Sequence, residues 1–363
     1  MLKSALGILL SLCCVIAVPA AQAENSVTPA ASKKQSSKNS FKKHKTKKPT
    51  AQVSLDRREK LVRRVVSSNG RRKVVYQRVT YAPRVPVVPP VVTAGDLAGL
   101  RSTHDPLALK SNVAYVVDQN NSQVLFEKNA NVALPIASIT KLMTGLVVVE
   151  AHQDMNEVLE ITADDIDREK HSSSRLQVGS RMTRADLLHI ALMSSENRAA
   201  SALGRNYPGG LQAFVAAMNA KARVLGMNDT HFVDSTGLSS LNVSSARDLA
   251  KLVIAAHDHP IICRYSTDQQ YVVNTGRHSL QYKNSNHLVL NPTWEIGLQK
   301  TGYISEAGRC MVVQATVEGR QIVMVFLDAK SKESRMADAG RIRKWLEAVK
   351  FQKGPITGVT TQS

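Results

Sequence analysis

Three short clusters in this 363-residue chain combine side chains that could do chemistry together: Ser138-Ile139-Thr140-Lys141, Ser195-Glu196-Asn197 and Lys300-Thr301-Gly302. A serine hydroxyl becomes a nucleophile only beside a base, and a lysine amine is a base only when neutral. If Ser138 opens a helix, Lys141 lies one turn later on the same face, within reach of the hydroxyl. Burial and a second cation both depress a lysine pKa, and Lys300 is the candidate for that cation. A helix start at Ser138 also points backbone N–H groups toward a developing oxyanion. The chemistry suggested is acyl transfer through a serine ester, which requires no metal or cofactor.

Singly, the first two clusters carry little information. Ser40-Phe41-Lys42-Lys43 repeats the Ser-x-x-Lys spacing, and Ser37, Ser67 and Ser240 each begin a Ser-x-Asn. Order and separation raise the signal, with 57 residues from Ser138 to Ser195, 105 more to Lys300, and a single Lys-Thr-Gly in the chain. His257-Asp258-His259 also invites a metal reading. It lies where a helix ends before Pro260 and has no third ligand at a recognised spacing, so a solvated helix end is the better reading.

Positioning these clusters requires helices and strands in a particular order. Residues 113–118 and 123–127 are apolar stretches around Gln119-Asn120-Asn121-Ser122, the pattern of a hairpin. From Ser138 the apolar residues step by three and four, which predicts a helix, and further helices fit 183–194, 211–225 and 245–257. Strand-like runs follow at 297–303, 310–317 and 321–327, then an amphipathic helix over 331–349. Helices gathered against a sheet mostly joined by tight turns predict an α+β domain that begins near Leu107, with a short tail at 351–363.

The formal charge of +19 suggests a nucleic-acid partner until it is counted by segment. Residues 24–100 hold 18 basic and 4 acidic side chains, a net of +14, whereas residues 101–363 hold 29 and 25. The basicity is therefore a property of a tail. Residues 24–50 have almost no apolar content and are expected to be disordered. Asn69-Gly70 between apolar pairs fits a basic hairpin, and the proline-rich run 82–90 fits an extended spacer. Residues 1–23, with Lys3, an apolar run and Ala21-Gln22-Ala23, read as a cleavable secretory signal. Leu12 before Cys13 argues against lipidation. Cys263 and Cys310 fit either one bridge or two buried thiols.

With these motifs in hand, the sequence resembles the penicillin-recognising serine hydrolases, and within them the D-alanyl-D-alanine peptidases of the penicillin-binding protein 7 endopeptidase type. Asp234-Ser235-Thr236-Gly237-Leu238 and Ser245-Ala246-Arg247-Asp248 add to the likeness, which spans about residues 105–350. The resemblance implies a β-lactamase/DD-peptidase-like fold, an antiparallel sheet flanked by helices. It implies Ser138 as nucleophile, Lys141 as its base and Ser195 as proton donor to the leaving amine. Asn197 then holds the substrate amide, Lys300 and Thr301 a carboxylate, Gly302 lets substrate lie along the strand, and Ser138 and Tyr303 supply oxyanion N–H groups. Thr236-Gly237 is read as a structural turn outside the site.

The implied substrate is peptidoglycan, with β-lactam antibiotics as covalent inhibitors, in the periplasm. A class A β-lactamase shares the three motifs but also uses a deacylating glutamate in a Glu-x-x-x-Asn between the second and third of them, and no such pattern occurs there; Glu295 is the sole glutamate between Asn197 and Lys300. A D-alanyl-D-alanine carboxypeptidase would share the chemistry, and a catalytically idle wall-binding protein would share the compartment. Glu196 in the second motif, and the absence of a further β-domain after the last helix, favour the endopeptidase. The basic tail is expected to meet anionic wall or membrane surfaces, not nucleic acid.

Overall fold

The structure, a computed structural model, describes residues 58–68, 70–81 and 92–349. The expected signal, the lysine-rich segment, the proline spacer and the C-terminal tail lie outside the described residues. What is described falls into two units. The first is the basic hairpin, β1 (Arg58–Ser68) paired antiparallel with β2 (Arg71–Tyr81). Ser68 sits opposite Arg71, and Gly70 between the two strands has φ +72°. Leu61, Val65 and Tyr76 are exposed, so the hairpin encloses no core of its own.

In the second unit two short helical turns, Ala94–Leu97 and Leu100–Ser102, precede β3 (Val113–Asp118) and β4 (Val124–Lys128). Helices α1 (Thr140–Glu150), α2 (Arg184–Met193), α3 (Asn197–Arg205), α4 (Gly210–Val224), α5 (Ala246–His257) and α6 (Pro260–Thr267) follow. A small hairpin, β5 (Gln270–Asn274) and β6 (Ser279–Lys283), leads to the long strands β7 (Glu295–Ile304), β8 (Gly308–Val317) and β9 (Arg320–Ala329). Helix α7 (Lys332–Ala348) closes the unit. The main sheet runs β7-β8-β9-β3-β4, with every neighbouring pair antiparallel.

Strand alternation explains why the apolar runs in β3, β8 and β9 are nearly continuous. Val113, Tyr115, Val117, Val312, Val323 and Val325 face a core shared with the helices α1, α2 and α5. Ala114, Val116, Met311, Val313, Met324 and Phe326 face the opposite core, covered by Ala339, Ile342 and Leu346 of α7. A sheet buried on both faces needs apolar residues at every position. Helix α1 is buried on all sides from Thr140 to Val148, which fits its lack of a polar stripe.

The α+β architecture and the main elements agree with the sequence reading to within a few residues. Thr183 caps α2 through a reciprocal capping box with Asp186, and Ser245 caps α5 by accepting from Asp248 N. Helices α3 and α6 and the β5–β6 hairpin are additions to that reading. Cys263 and Cys310 are both free thiols, Cys310 fully buried, so no bridge joins them. His257 ends α5 with its ring nitrogen 3.2 Å from the Gln119 amide, and His259 precedes α6 near Glu150.

Candidate active site

Ser138 does not open the α-helix directly but sits in a single 3₁₀ turn, Ala137–Ile139, that runs into α1. Ala137 has φ +50°, and its carbonyl accepts from Thr140 Oγ1 at 2.9 Å. The strained residue aims Ser138 out of the helix axis while leaving Lys141 one turn behind it. Lys141 is fully buried, and its ammonium donates to Ser138 Oγ at 2.9 Å, Asn197 Oδ1 at 2.7 Å and the Thr236 carbonyl at 2.6 Å. All three acceptors are neutral, so burial dominates and lowers the Lys141 pKa to about 8, against the opposing pull of Asp234, Glu196 and Asp167.

The second cluster occupies the loop between α2 and α3. Ser195 has φ +67°, Glu196 N donates to the Ile190 carbonyl, and the Glu196 carboxylate caps α3 by accepting from Arg198 N. Asn197, the first helical residue, is thereby fixed with its carbonyl oxygen on Lys141 and its amide donating to Ser172 Oγ at 2.8 Å.

The third cluster lies on β7. Lys300 is fully buried and donates to Ser195 Oγ at 2.9 Å and to the Thr301 carbonyl at 2.8 Å. Burial, then the nearby charges of Lys141 and Arg335, hold its pKa well below the ordinary lysine value. Thr301 Oγ1 and Ser285 Oγ are 2.7 Å apart. A β-carbon at Gly302 would stand 3.0 Å from both Ile136 O and Ser138 N, a tight contact with backbone that glycine avoids where the strand runs against the serine turn. That contact brings the backbone of Ser138 beside the segment leading to Tyr303.

Ser138, Ser195, Asn197, Thr301, Gly302 and Tyr303 line one cavity of about 420 Å³. All eight residues expected from the sequence therefore meet at one place, either in this cavity or hydrogen-bonded to its wall. Four contributors escaped the sequence reading. Thr236, set aside as part of a structural turn, gives its carbonyl to Lys141. Asp234 shapes that turn, its carboxylate accepting from the backbone of Thr236, Gly237 and Ser239. Ser172 holds Asn197. Arg335, from α7, is 4% exposed at the cavity wall. Its guanidinium donates to the Cys310 carbonyl at 2.7 Å, faces no carboxylate partner among the described residues, and leaves Nε unpaired. Burial lowers its pKa to about 10. The cavity thus offers a hydroxyl beside a depressed amine, a second hydroxyl on a second lysine, and an unneutralised cation for an anion.

Residues 100–331 match the model of the D-alanyl-D-alanine carboxypeptidase family, peptidase S11. The chain belongs to that family. It is 47% identical over 241 residues to the D-alanyl-D-alanine endopeptidase of Pseudomonas aeruginosa, covering 66% of this chain and 78% of that one. With the D-alanyl-D-alanine endopeptidase of Escherichia coli it shares 41% identity over 254 residues, 69% and 82% of the two chains. The structure of the Streptomyces K15 DD-transpeptidase superposes on this S11 peptidase with a TM-score of 0.63 at 25% identity, covering 68% of this chain and all of that one.

Proposed function

We propose that this S11 peptidase is a serine-type D-alanyl-D-alanine endopeptidase that hydrolyses D-alanyl cross-links in peptidoglycan through an acyl-enzyme at Ser138. The observation that carries the reading is the Lys141 amine, buried among neutral acceptors and 2.9 Å from the Ser138 hydroxyl. Neutral Lys141 takes the hydroxyl proton as Ser138 Oγ bonds to the D-alanyl carbonyl carbon. The carbonyl oxygen becomes an oxyanion on the N–H groups of Ser138 and Tyr303. Ser195, bonded to Lys300, delivers a proton to the leaving amine as the C–N bond breaks. Water then adds to the ester, its hydrogen returns to Ser138 Oγ, and a free D-alanyl carboxylate leaves.

Asn197 orients the substrate amide, while Lys300, Thr301 and Arg335 meet a carboxylate on the leaving side. Substrate along β7 has only backbone to pass at Gly302. The same nucleophile opens β-lactam rings, and without a Glu-x-x-x-Asn between the second and third motifs the resulting ester is expected to persist. The reading also takes residues 1–23 as an export signal, the periplasm as destination, and residues 24–100 as a basic arm that meets anionic wall or membrane surfaces. Among the described residues no helix is long and apolar enough to cross a membrane.

The test is digestion of cross-linked and uncross-linked muropeptides side by side, with labelled penicillin and mass spectrometry to locate the adduct. Cleavage of the cross-linked dimer and an adduct on Ser138 are expected. Release of terminal D-alanine alone contradicts the endopeptidase reading, rapid penicillin turnover identifies a β-lactamase, and no adduct contradicts the serine mechanism.

A further inference from the structure

A second, larger cavity opens at Ser195, and Ser138 is not among the residues that line it. Its volume is about 840 Å³, twice that of the cavity at the nucleophile, and Ser195 and Asn197 line both. Its floor is the loop that carries the second motif, and its walls are the segment around Ser173, Ser174 and Arg175 and the strand β6.

Glu196 braces this cavity. Its buried carboxylate accepts from Ser174 Oγ at 2.7 Å on one wall and from Tyr282 OH at 3.4 Å on the other. Arg175 crosses the same gap, its guanidinium 4.1 Å from the centre of the Tyr282 ring and donating to the Gln281 carbonyl at 2.7 Å. The walls are therefore tied together without a ligand. A braced cavity is organised before binding, which lowers the ordering cost of whatever enters it.

We propose that this cavity receives the second peptide arm of a cross-linked substrate, an inference that rests on the endopeptidase reading of the site. Ser195 is the group that protonates the leaving amine, so a cavity that opens from Ser195 lies on the leaving-group side. In an uncross-linked stem that amine belongs to one terminal residue, which the cavity at Ser138 accommodates. In a cross-link the amine carries a further peptide. The cavity's volume lies in the upper part of the ~300–1,000 Å³ range that encloses a drug-sized ligand, more than one amino acid fills. The serine hydroxyls and the Arg175 cation suit peptide amides and the carboxylate of such an arm. Glu196 is then a positioning residue for specificity: it ties the two walls at a fixed spacing and touches no reacting atom.

Two variants address the cavity. Ser173→Trp fills it from an exposed position, and Arg175→Glu reverses its charge. Labelled penicillin first titrates the competent protein in each preparation. Both variants are expected to lower the ratio of kcat/KM for a cross-linked muropeptide dimer over the uncross-linked pentapeptide by about tenfold, the size of one lost charge-assisted contact. In a Ser138→Ala background, calorimetry should show the same selective loss of affinity for the intact dimer. An unchanged ratio and unchanged relative affinity in both variants overturn the proposal. If the parent protein releases only terminal D-alanine, the endopeptidase reading fails by itself, and the binding comparison in Ser138→Ala still decides whether the cavity holds the second arm.

Discussion

The ammonium nitrogen of Lys141 lies 2.6 Å from the backbone carbonyl oxygen of Thr236, a contact that ties the base to a turn 95 residues further along the chain. The amine is therefore aimed by a carbonyl, and the carbonyl is aimed by the turn that Asp234 folds. Gly237 completes that turn at φ +77°, where a β-carbon would fall 2.0 Å from the Ala137 carbonyl oxygen. Gly237→Ala is expected to cost about 1–3 kcal/mol of stability and to slow acylation by labelled penicillin more than tenfold. Gly319→Ala is the control, since Gly319 has a similar φ of +72° with open space beside it. Its acylation rate should match the parent. Equal behaviour of the two variants would count against the role assigned to the turn.

A pH profile follows from the depressed Lys141. The base must be neutral, so the acylation rate should rise with pH through about 8 and level off above it. About a tenth of the lysine is neutral one unit below that value, so moving from pH 7 to pH 9 should raise the rate nearly tenfold. Asp234, Glu196 and Asp167 each pull the pKa upward. Removing one negative charge by Glu196→Gln should therefore shift the rising limb to lower pH. Stopped-flow acylation across pH 6–10 measures both, and a flat profile is incompatible with a lysine base.

Arg335 lines the cavity with Arg309 and Lys332, and its own buried guanidinium donates to backbone carbonyls. Replacing it by glutamine leaves a donor near the Cys310 carbonyl but removes the cation. For a peptide with a free terminal carboxylate, Arg335→Gln should lower kcat/KM by about 10- to 100-fold, mainly through KM. The corresponding peptide amide, which has no charge to lose, should be processed by both proteins alike. A loss of equal size on both peptides would assign Arg335 to packing alone.

The cores on the two faces of the sheet predict a stability effect remote from the site. Phe326 on β9 is fully buried in the core covered by α7. Phe326→Ala should destabilise the domain by about 3–5 kcal/mol in a denaturant titration, with the pH profile of the surviving folded protein unchanged.

The catalytic residues are legible in the sequence because each advertises itself through side-chain type at a short spacing. Ser138 and Lys141 sit three apart, Ser195 and Asn197 two apart, and Lys300, Thr301 and Gly302 are consecutive. The long strands are legible because β8 and β9 carry apolar side chains on both faces. Thr236 escapes notice because it contributes a backbone carbonyl, which any residue type could supply. Arg335 escapes it because an arginine in an amphipathic helix ordinarily faces water. Only the register of α7 against β7 and β8 reveals that it points inward. The β5–β6 hairpin alternates poorly and offers no strong turn signal before Gly276, and α6 is hidden by Pro260, which starts that helix as readily as it ends the one before. Long-range placement, not residue chemistry, is the information the sequence withholds.

The pairing of β3 with β9 fixes when this hydrolase can first become active. Val113 lies opposite Leu327 at the centre of the sheet, so the earliest strand of the domain waits for the last. Until β9 is available, β7 has no completed sheet to hold Lys300 against Ser195, and α7 has no surface on which to set Arg335. Assembly of such distant partners is slow relative to local helix formation. A nascent or truncated chain that already contains Ser138 and Lys141 is thus an incomplete enzyme. The fold itself delays the cutting of bonds until synthesis has passed the whole catalytic apparatus.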